Sequence, residues 1–136
     1  MTVNLLENPS GRRVTTGIPT LDQALSGGFP AKSAILVSGG PGTGKTTLGM
    51  TFLWNGMTKM DEKGMYASLS EGREEMYQNM RGFGMDFEKM EEEGRFVYLP
   101  LISSSGNGMS DGLAQLVGII MKNGIKRVVL DSGLVQ

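Results

Sequence analysis

The sequence contains neither cysteine nor histidine. Disulfides, thiolate nucleophiles, zinc sites built from Cys or His, and histidine general bases are therefore excluded. Any metal ion has to be held by oxygen atoms, which favours a hard cation such as Mg²⁺. Long apolar runs are also absent, since none approaches the roughly 20 residues that a membrane-spanning helix needs.

Charge of neither sign predominates, because 13 Lys and Arg residues stand against 14 Asp and Glu residues, for a formal net charge of −1. There is no long basic run, so nucleic acid is not indicated as a partner, and neither is a membrane. The first residues lack the apolar stretch of a signal peptide. We therefore expect a cytoplasmic protein whose 136 residues form one domain.

Apolar runs alternate with helical patterns along the chain. Residues 1–13 are polar and lack periodicity, which predicts a loose N-terminal arm before a domain at 14–136. Strands are predicted at residues 34–38, 65–69, 95–99 and 127–131, and helices at 21–26, 45–60, from 73, after 86 and after 110. This alternation predicts an α/β fold with a mainly parallel sheet and helices on both faces. Ligands of such sheets bind beyond the C-terminal ends of the strands.

Several helix signals are specific enough to test. Thr20, with Gln23 three residues later, has the pattern of a capping box and predicts a helix start. Asp86 is predicted to cap a short helix that Gly94 closes. The spacing of Met76, Met80 and Phe83 predicts a shared apolar face.

The segment from Gly39 to Thr46 reads GGPGTGKT and matches the P-loop, or Walker A, pattern G-x-x-x-x-G-K-[S/T] in full. Backbone N–H groups that surround a β-phosphate require φ values that glycine tolerates, and the following helix presents its positive end to the anion. A glycine-rich turn that binds nothing is the alternative, but a buried strand and an amphipathic helix flank this loop as nucleotide binding requires. The predicted ATP-binding residues are Gly39, Gly40, Pro41, Gly42, Thr43, Gly44, Lys45, Thr46 and Thr47.

Three residues are predicted to act on the phosphates and the metal. Lys45 has a compact charge that can reach the β- and γ-phosphates, and the Thr46 hydroxyl can ligate Mg²⁺. Asp131 ends an apolar strand, where an acidic residue orients Mg²⁺, usually through water. The alternative for Asp131 is an aspartate that caps a turn. By contrast, Asp22, Asp86 and Asp111 are interpreted as helix-start residues that favour the helix dipole.

The segments TGIPTLD at Thr16 to Asp22 and GGFP at Gly27 to Pro30, together with the P-loop, resemble the RecA-like ATPases, and most closely the KaiC branch. Further matching pieces are FLWNG at 52–56, MRGFGMD at 80–86, EGR at 93–95 and RVVLDS at 127–132. The resemblance runs from about residue 12 to residue 132. It implies a RecA-like P-loop NTPase core, ATP with Mg²⁺ as ligands, and ATP hydrolysis coupled to subunit assembly or signalling. It also implies self-association of the full-length protein.

The resemblance further implies a catalytic acidic residue after the second strand, where the family usually has two glutamates. Here Ser70 stands at the first position and Glu71 at the second. Glu71 is thus the candidate that polarises the attacking water. The alternative is a helix-start carboxylate.

The resemblance implies a longer domain, so we expect this chain to be its N-terminal part, truncated after the strand that ends at Asp131. In RecA-like domains a later strand lies between the P-loop strand and the strand of the metal-side aspartate. The resemblance therefore predicts that these two strands are not neighbours here, with apolar edges exposed beside Ile35 and Val129.

Other functions remain open at this level. A nucleotide-sensing regulator that does not hydrolyse ATP is favoured by Ser70. A small-molecule kinase usually needs a lid of arginines, and no Arg cluster follows the later strands. A DNA-recombination accessory needs a basic and aromatic groove, which nothing in the sequence marks.

We expect the chain to hydrolyse ATP very slowly. Loss of a positioned base costs about 10²–10⁴ in rate, and loss of a neighbour's cationic finger about 10³–10⁵. Ser70→Glu alone should therefore raise phosphate release only slightly, which a coupled phosphate assay measures. Brisk release by the parent chain would contradict the expectation and show that Glu71 or another group suffices.

Overall fold

The helices and the four predicted strands follow the order that the sequence pattern predicts, and three further short strands were not predicted. The computed structural model describes residues 2–5, 12–31, 35–38, 44–68, 72–101 and 108–131. For residues 2–5, 35–38, 108–111 and 113 it describes the backbone alone. Its strands are β1 Thr2–Leu5, β2 Arg13–Val14, β3 Phe29–Pro30, β4 Ile35–Ser38, β5 Gly64–Ser68, β6 Phe96–Pro100 and β7 Arg127–Asp131. Its helices are α1 Pro19–Ala24, α2 Lys45–Lys59, α3 Arg73–Arg81, α4 Phe87–Glu92 and α5 Gly108–Asn123.

The centre of the fold is a parallel sheet with the order β6-β5-β7. Gly64, at the start of β5, pairs with Phe96 on one side and with Arg127 on the other. All five residues of β5 are buried, because helices cover both faces of the sheet, as is usual for parallel strands. The predicted α/β class with a mainly parallel sheet is confirmed.

Side chains alternate across the sheet and so divide the core into two layers. On one face, Tyr66 joins a cluster with side chains of α2, α3 and α4. On the other face, Met65 and Ala67 pack beneath α5. The methionines Met50, Met57, Met76, Met80, Met85 and Met90 all lie in the first cluster, where this flexible side chain fills irregular space.

Helix α2 lies very close to β7. A Cβ atom on Gly56 would be 2.4 Å from Cδ of Arg127, and one on Gly49 would be 3.1 Å from Cγ1 of Val129. The buried Arg127 side chain extends along this contact. Its Nε donates to Glu62 Oε1 at 2.9 Å and its Nη1 to the Phe52 carbonyl at 3.0 Å. The two glycines therefore set the spacing between α2 and the sheet.

The N-terminal part of the chain differs from the prediction. Residues 1–13 were expected to be a loose arm, but Thr2–Leu5 forms a strand that pairs antiparallel with β4, and Arg13 begins β2, which pairs with β3. A strand edge with unpaired backbone groups recruits a partner. At β4 this partner is the chain's own beginning.

Two local predictions are also wrong. Helix α1 begins at Pro19, with Ile18 at the N-cap and no side-chain cap, because proline is well suited to the first helical turn. Thr20 is therefore not the capping residue.

Phe83 lies beyond the end of α3 and is 63% exposed, whereas Met76 and Met80 are buried as predicted. The Asp86 cap is confirmed, since its Oδ1 accepts from the Lys89 N–H at 3.1 Å.

Among the described strands, β4 pairs with β1 and not with β7, as the resemblance implied. Val128 and Leu130 of β7 are 37% and 55% exposed, whereas Val129 between them is half-buried against the core. The side chain of Ile35 lies outside the described residues, so the apolar edge expected there stays a prediction. None of the helices in the described ranges is both long and apolar enough to span a membrane.

The close contact of α2 with β7 predicts opposite effects for two Gly→Ala changes. Gly56→Ala should lower the free energy of unfolding by about 1–3 kcal/mol, because the new methyl group displaces the buried Arg127 side chain. Gly118→Ala, on α5 with no atom within 4 Å of the new Cβ, should raise it by up to about 1 kcal/mol through helix propensity. Urea unfolding of both variants measures the difference. Stabilisation by both substitutions would contradict the close contact.

Candidate functional site

The first turn of α2 carries the described part of the P-loop. Gly44 occupies the N-cap with φ of 86°, a left-handed conformation that glycine adopts without strain. Lys45, Thr46 and Thr47 follow in the first helical turn, where backbone N–H groups point out of the helix end. The exposed Lys45 and the half-buried threonines thus surround a helix N-terminus that favours anions.

The fold brings Asp131 to this helix end. Asp131 is the last residue of β7, and its Oδ2 accepts a hydrogen bond from the Thr46 hydroxyl at 3.3 Å, across 85 residues of sequence. Hydroxyl and carboxylate oxygens are the ligands that Mg²⁺ prefers, alongside water and phosphate. Thr46 and Asp131, which the sequence assigns separately to the metal, therefore lie side by side.

A third side chain reaches the same carboxylate. The Tyr66 hydroxyl, from the central strand β5, also donates to Oδ2 of Asp131. Sequence analysis missed this residue. The signal was available, because a tyrosine in a strand that is buried on both faces needs a partner for its hydroxyl, and polar residues at the strand ends supply it.

A network of hydrogen bonds fixes the other side of α2. Asp22 Oδ1 accepts from the Thr16 N–H at 2.8 Å and from the Thr16 hydroxyl at 2.6 Å, and Oδ2 accepts from the Gly17 N–H at 3.1 Å and from the Thr15 hydroxyl. Asn55 of α2 then donates to the Thr16 carbonyl at 2.8 Å. Asp22 lies in the first turn of α1 as predicted, but its carboxylate also organises the loop that holds α2.

The charge of Asp22 depends on these donors. Desolvation by itself raises the pKa of the carboxyl, but the hydrogen bonds from Thr15, Thr16 and Gly17 outweigh it and hold the pKa below its usual value of 3.8. Gly17 is required at this point, because a Cβ there would lie 2.3 Å from Nδ2 of Asn55. Thr16, Gly17 and Asp22 of the TGIPTLD segment, together with Thr15 just before it, therefore have a common structural role.

An open cleft of about 410 Å³ adjoins the start of α2. Its lining in the described residues comes from Thr46 and Thr47 on one side and from Asn79, Met80 and Phe83 on the other. The Phe83 ring is largely exposed, and the cleft thus combines an aromatic surface with amide and hydroxyl groups. Sequence analysis assigned Phe83 to a buried apolar face and so missed this part of the site.

The structure brings together Gly44, Lys45, Thr46, Thr47 and Asp131. The other predicted site residues, Gly39, Gly40, Pro41, Gly42, Thr43 and Glu71, lie outside the described residues, as does Ser70. Within the described ranges, no three acidic side chains form a cluster that could hold a metal ion. A metal held by Thr46 and oriented by Asp131 would take its remaining ligands from phosphate and water, as Mg²⁺ at nucleotides does.

Comparison with known proteins gives one family. The family model described as "ATPase: KaiC" matches residues 14–134, which is nearly the whole chain and includes every described residue of the site.

Several similar curated proteins are UPF0273 proteins. A UPF0273 protein of Pyrococcus furiosus is 52% identical over 85 residues, covering 62% of this chain and 34% of the relative. UPF0273 proteins of Sulfurisphaera tokodaii and Methanopyrus kandleri are 37% and 35% identical over 134 residues, covering 88% of this chain and 47% and 53% of the relatives. The chain thus spans about a third to a half of the length of the curated relatives that it matches.

The Asp22 network predicts a pH-dependent contribution to stability. Because the pKa of Asp22 is lower in the folded state than the value of 3.8 for a free carboxyl, its contribution is complete above about pH 4 and is lost as the pH falls through the folded-state pKa. Asp22→Asn should therefore lower the free energy of unfolding by about 1–2 kcal/mol at pH 6, allowing for partial solvent screening. The difference should shrink towards pH 2.5.

Urea unfolding between pH 2.5 and pH 7 measures this difference. Glu75→Gln, at an exposed position of α3, is the control for loss of one negative charge. A difference between parent and Asp22→Asn that is the same at both ends of the pH range would contradict the assignment.

Proposed function

The chain belongs to the KaiC ATPase family, and from this premise we propose that the loop from Gly39 to Thr46 binds ATP together with Mg²⁺. The observation that carries the proposal is the position of Asp131 beside Thr46 at the N-terminus of α2. A P-loop threonine and a strand-end aspartate within hydrogen-bond reach are the protein groups that P-loop NTPases use around the metal. Folding alone would not require these two polar residues to meet at a helix end.

Each residue has a separate task in this site. Backbone N–H groups of the loop and of the first turn of α2, other than at Pro41, which has none, would bind the phosphates, and Lys45 would add its positive charge at the β- and γ-phosphates. The Thr46 hydroxyl oxygen would hold Mg²⁺, and Asp131 accepts a hydrogen bond from that hydroxyl and would orient a metal-bound water. The ion would neutralise part of the phosphate charge.

The open cleft is suited to the rest of the nucleotide. The start of α2 forms one of its walls, so a nucleotide whose phosphates lie at the P-loop can extend into it. The exposed Phe83 ring offers a surface on which a base can stack, and the Asn79 amide can both donate and accept a hydrogen bond. We assign Phe83 to base binding on this ground.

Hydrolysis depends on a residue that polarises the attacking water, and Glu71 is the proposed one. The second candidate function is a nucleotide sensor that binds without turnover, which Ser70 at the usual position of the first glutamate favours. Phosphate release under conditions where MgATP is shown to bind decides between the two.

We further propose that nucleotide binding is coupled to assembly of subunits or to signalling in the full-length protein, in the cytoplasm. The support is the resemblance to KaiC-type ATPases, in which nucleotide and self-association go together. No nucleic acid or membrane partner is proposed.

The proposed function predicts that MgATP stabilises the folded chain and that Lys45→Ala removes this effect. At a nucleotide concentration of about a hundred times Kd, the stabilisation is about 2.7 kcal/mol. This corresponds to a rise in Tm on the order of 5–10 °C for a domain of this size. Thermal unfolding with and without MgATP measures the shift.

Lys59→Ala, an exposed position at the opposite end of α2, is the matched control and should keep the full shift. Phe83→Ala should reduce the shift without abolishing it, because it removes base stacking and leaves the phosphate site intact. An equal shift in the parent chain and in Lys45→Ala would refute the site.

A further inference from the structure

Phenylalanine would fill the same space as Tyr66 in the core, so the hydroxyl of Tyr66 is not needed for packing. Its side chain is fully buried in the middle of the central strand β5, and its hydroxyl donates to Oδ2 of Asp131. A buried hydroxyl without a partner costs about 1–3 kcal/mol, so its hydrogen bond to the carboxylate matters for the fold. The same bond also acts on a residue of the proposed metal site.

Strand register explains how the two residues meet. Tyr66 pairs with Val129, and Ser68 pairs with Asp131, so Tyr66 and Asp131 are diagonal neighbours on the same face of adjacent strands. Diagonal neighbours lie roughly 7–8 Å apart, within the reach of an aromatic side chain. The Tyr66 ring spans this distance, and its hydroxyl lies at the C-terminal edge of the sheet.

The ring is held in one orientation by its surroundings. It stacks on the Tyr98 ring of β6, with ring centroids 6.0 Å apart and an interplanar angle of 24°. It also belongs to the cluster that includes Met50 and Leu53 of α2. The hydroxyl is therefore presented from a rigid, close-packed platform.

Asp131 consequently receives two hydroxyl donors on one oxygen, from Tyr66 in the core and from Thr46 in the P-loop. A carboxylate with a single donor can rotate about its terminal bond, which is a soft torsion. Donors from two elements restrict that rotation. Side chains that bond to the residues around a metal typically change metal affinity by about 10–100-fold when they are removed.

We propose that Tyr66 is a positioning residue for Mg²⁺ at the nucleotide site and that it acts through Asp131. The proposal rests on the proposed function, because it concerns the metal that accompanies ATP. Tyr66 does not touch the nucleotide. Its hydroxyl fixes the carboxylate in the orientation that a metal-bound water requires.

The test compares nucleotide affinity with and without Mg²⁺ in the parent and in Tyr66→Phe, which removes only the hydroxyl. Calorimetric titration with ATP gives Kd in excess Mg²⁺ and in EDTA, and the ratio of the EDTA value to the Mg²⁺ value measures the contribution of the metal. Tyr66→Phe should lower this ratio about tenfold and leave the Mg²⁺-free Kd unchanged within about twofold. A residue with only a structural role would change both Kd values together.

Tyr77→Phe is the matched control. Tyr77 is also fully buried, and its hydroxyl neighbours Glu91 and not Asp131, so its removal should leave the ratio unchanged. A double-mutant cycle with Asp131→Asn tests the route of the effect, because Tyr66→Phe should have no further effect on the ratio once the carboxylate is gone.

The outcomes separate the two proposals. A parent chain that does not bind ATP refutes the proposed function and, with it, the role of Tyr66. A parent chain that binds ATP with a Mg²⁺ dependence that Tyr66→Phe retains in full overturns the role of Tyr66 alone.

If Tyr66→Phe does not fold, the parent chain still decides the question. The Cζ chemical shift of Tyr66 in ¹³C-labelled protein reports the hydrogen bond of its hydroxyl. It should move when Mg²⁺ joins bound nucleotide, while that of Tyr77 stays constant. An unchanged Tyr66 signal overturns the proposal.

Discussion

The close packing of α2 on β7 is the constraint on which the rest of the site depends. Gly49 and Gly56 lie two helical turns apart on the face of α2 that contacts Val129 and Arg127; a Cβ at Gly56 would clash with Arg127, and one at Gly49 would be tight against Val129. This short spacing between helix and sheet places the first turn of α2 at the end of β7. Thr46 and Asp131 meet for that reason.

The contact contains a buried charge as well as small residues. Arg127 is 2% exposed and its guanidinium lies 4.5 Å from the centre of the Phe52 ring, besides its bonds to Glu62 and to the Phe52 carbonyl. One of its nitrogen atoms, Nη2, has no hydrogen-bond partner among the described residues, which costs stability. The ion pair and the cation–π contact offset this cost, and they tie the second half of α2 to the sheet.

The opposite side of α2 is tied by the Asp22 network, through the bond from Asn55 to the Thr16 carbonyl. The helix that carries Lys45, Thr46 and Thr47 is thus fixed to two separate parts of the chain. Pre-organisation of this kind lowers the entropy that ligand binding at the helix end would have to overcome.

The sequence by itself determined the α/β class, the bounds of β7 at Arg127–Asp131, the α2 helix and the Asp86 cap, and it predicted that Lys45, Thr46 and Asp131 belong to one site. These features follow from local periodicity and from a contiguous motif, which a reader can recognise without knowing how the elements pack. Only the tertiary structure decided that Thr2–Leu5 pairs with β4, that Phe83 borders the cleft, and that Tyr66 bonds to Asp131. The two strand contacts join segments that are distant in sequence, and the position of Phe83 depends on the side of a turn from which its side chain emerges. A local sequence pattern contains neither kind of information. The start of α1 at Pro19 belongs to the same group. Pro19 and Thr20 are both local signals for a helix start, and the geometry of the folded loop at Asp22 determines that the helix begins at Pro19.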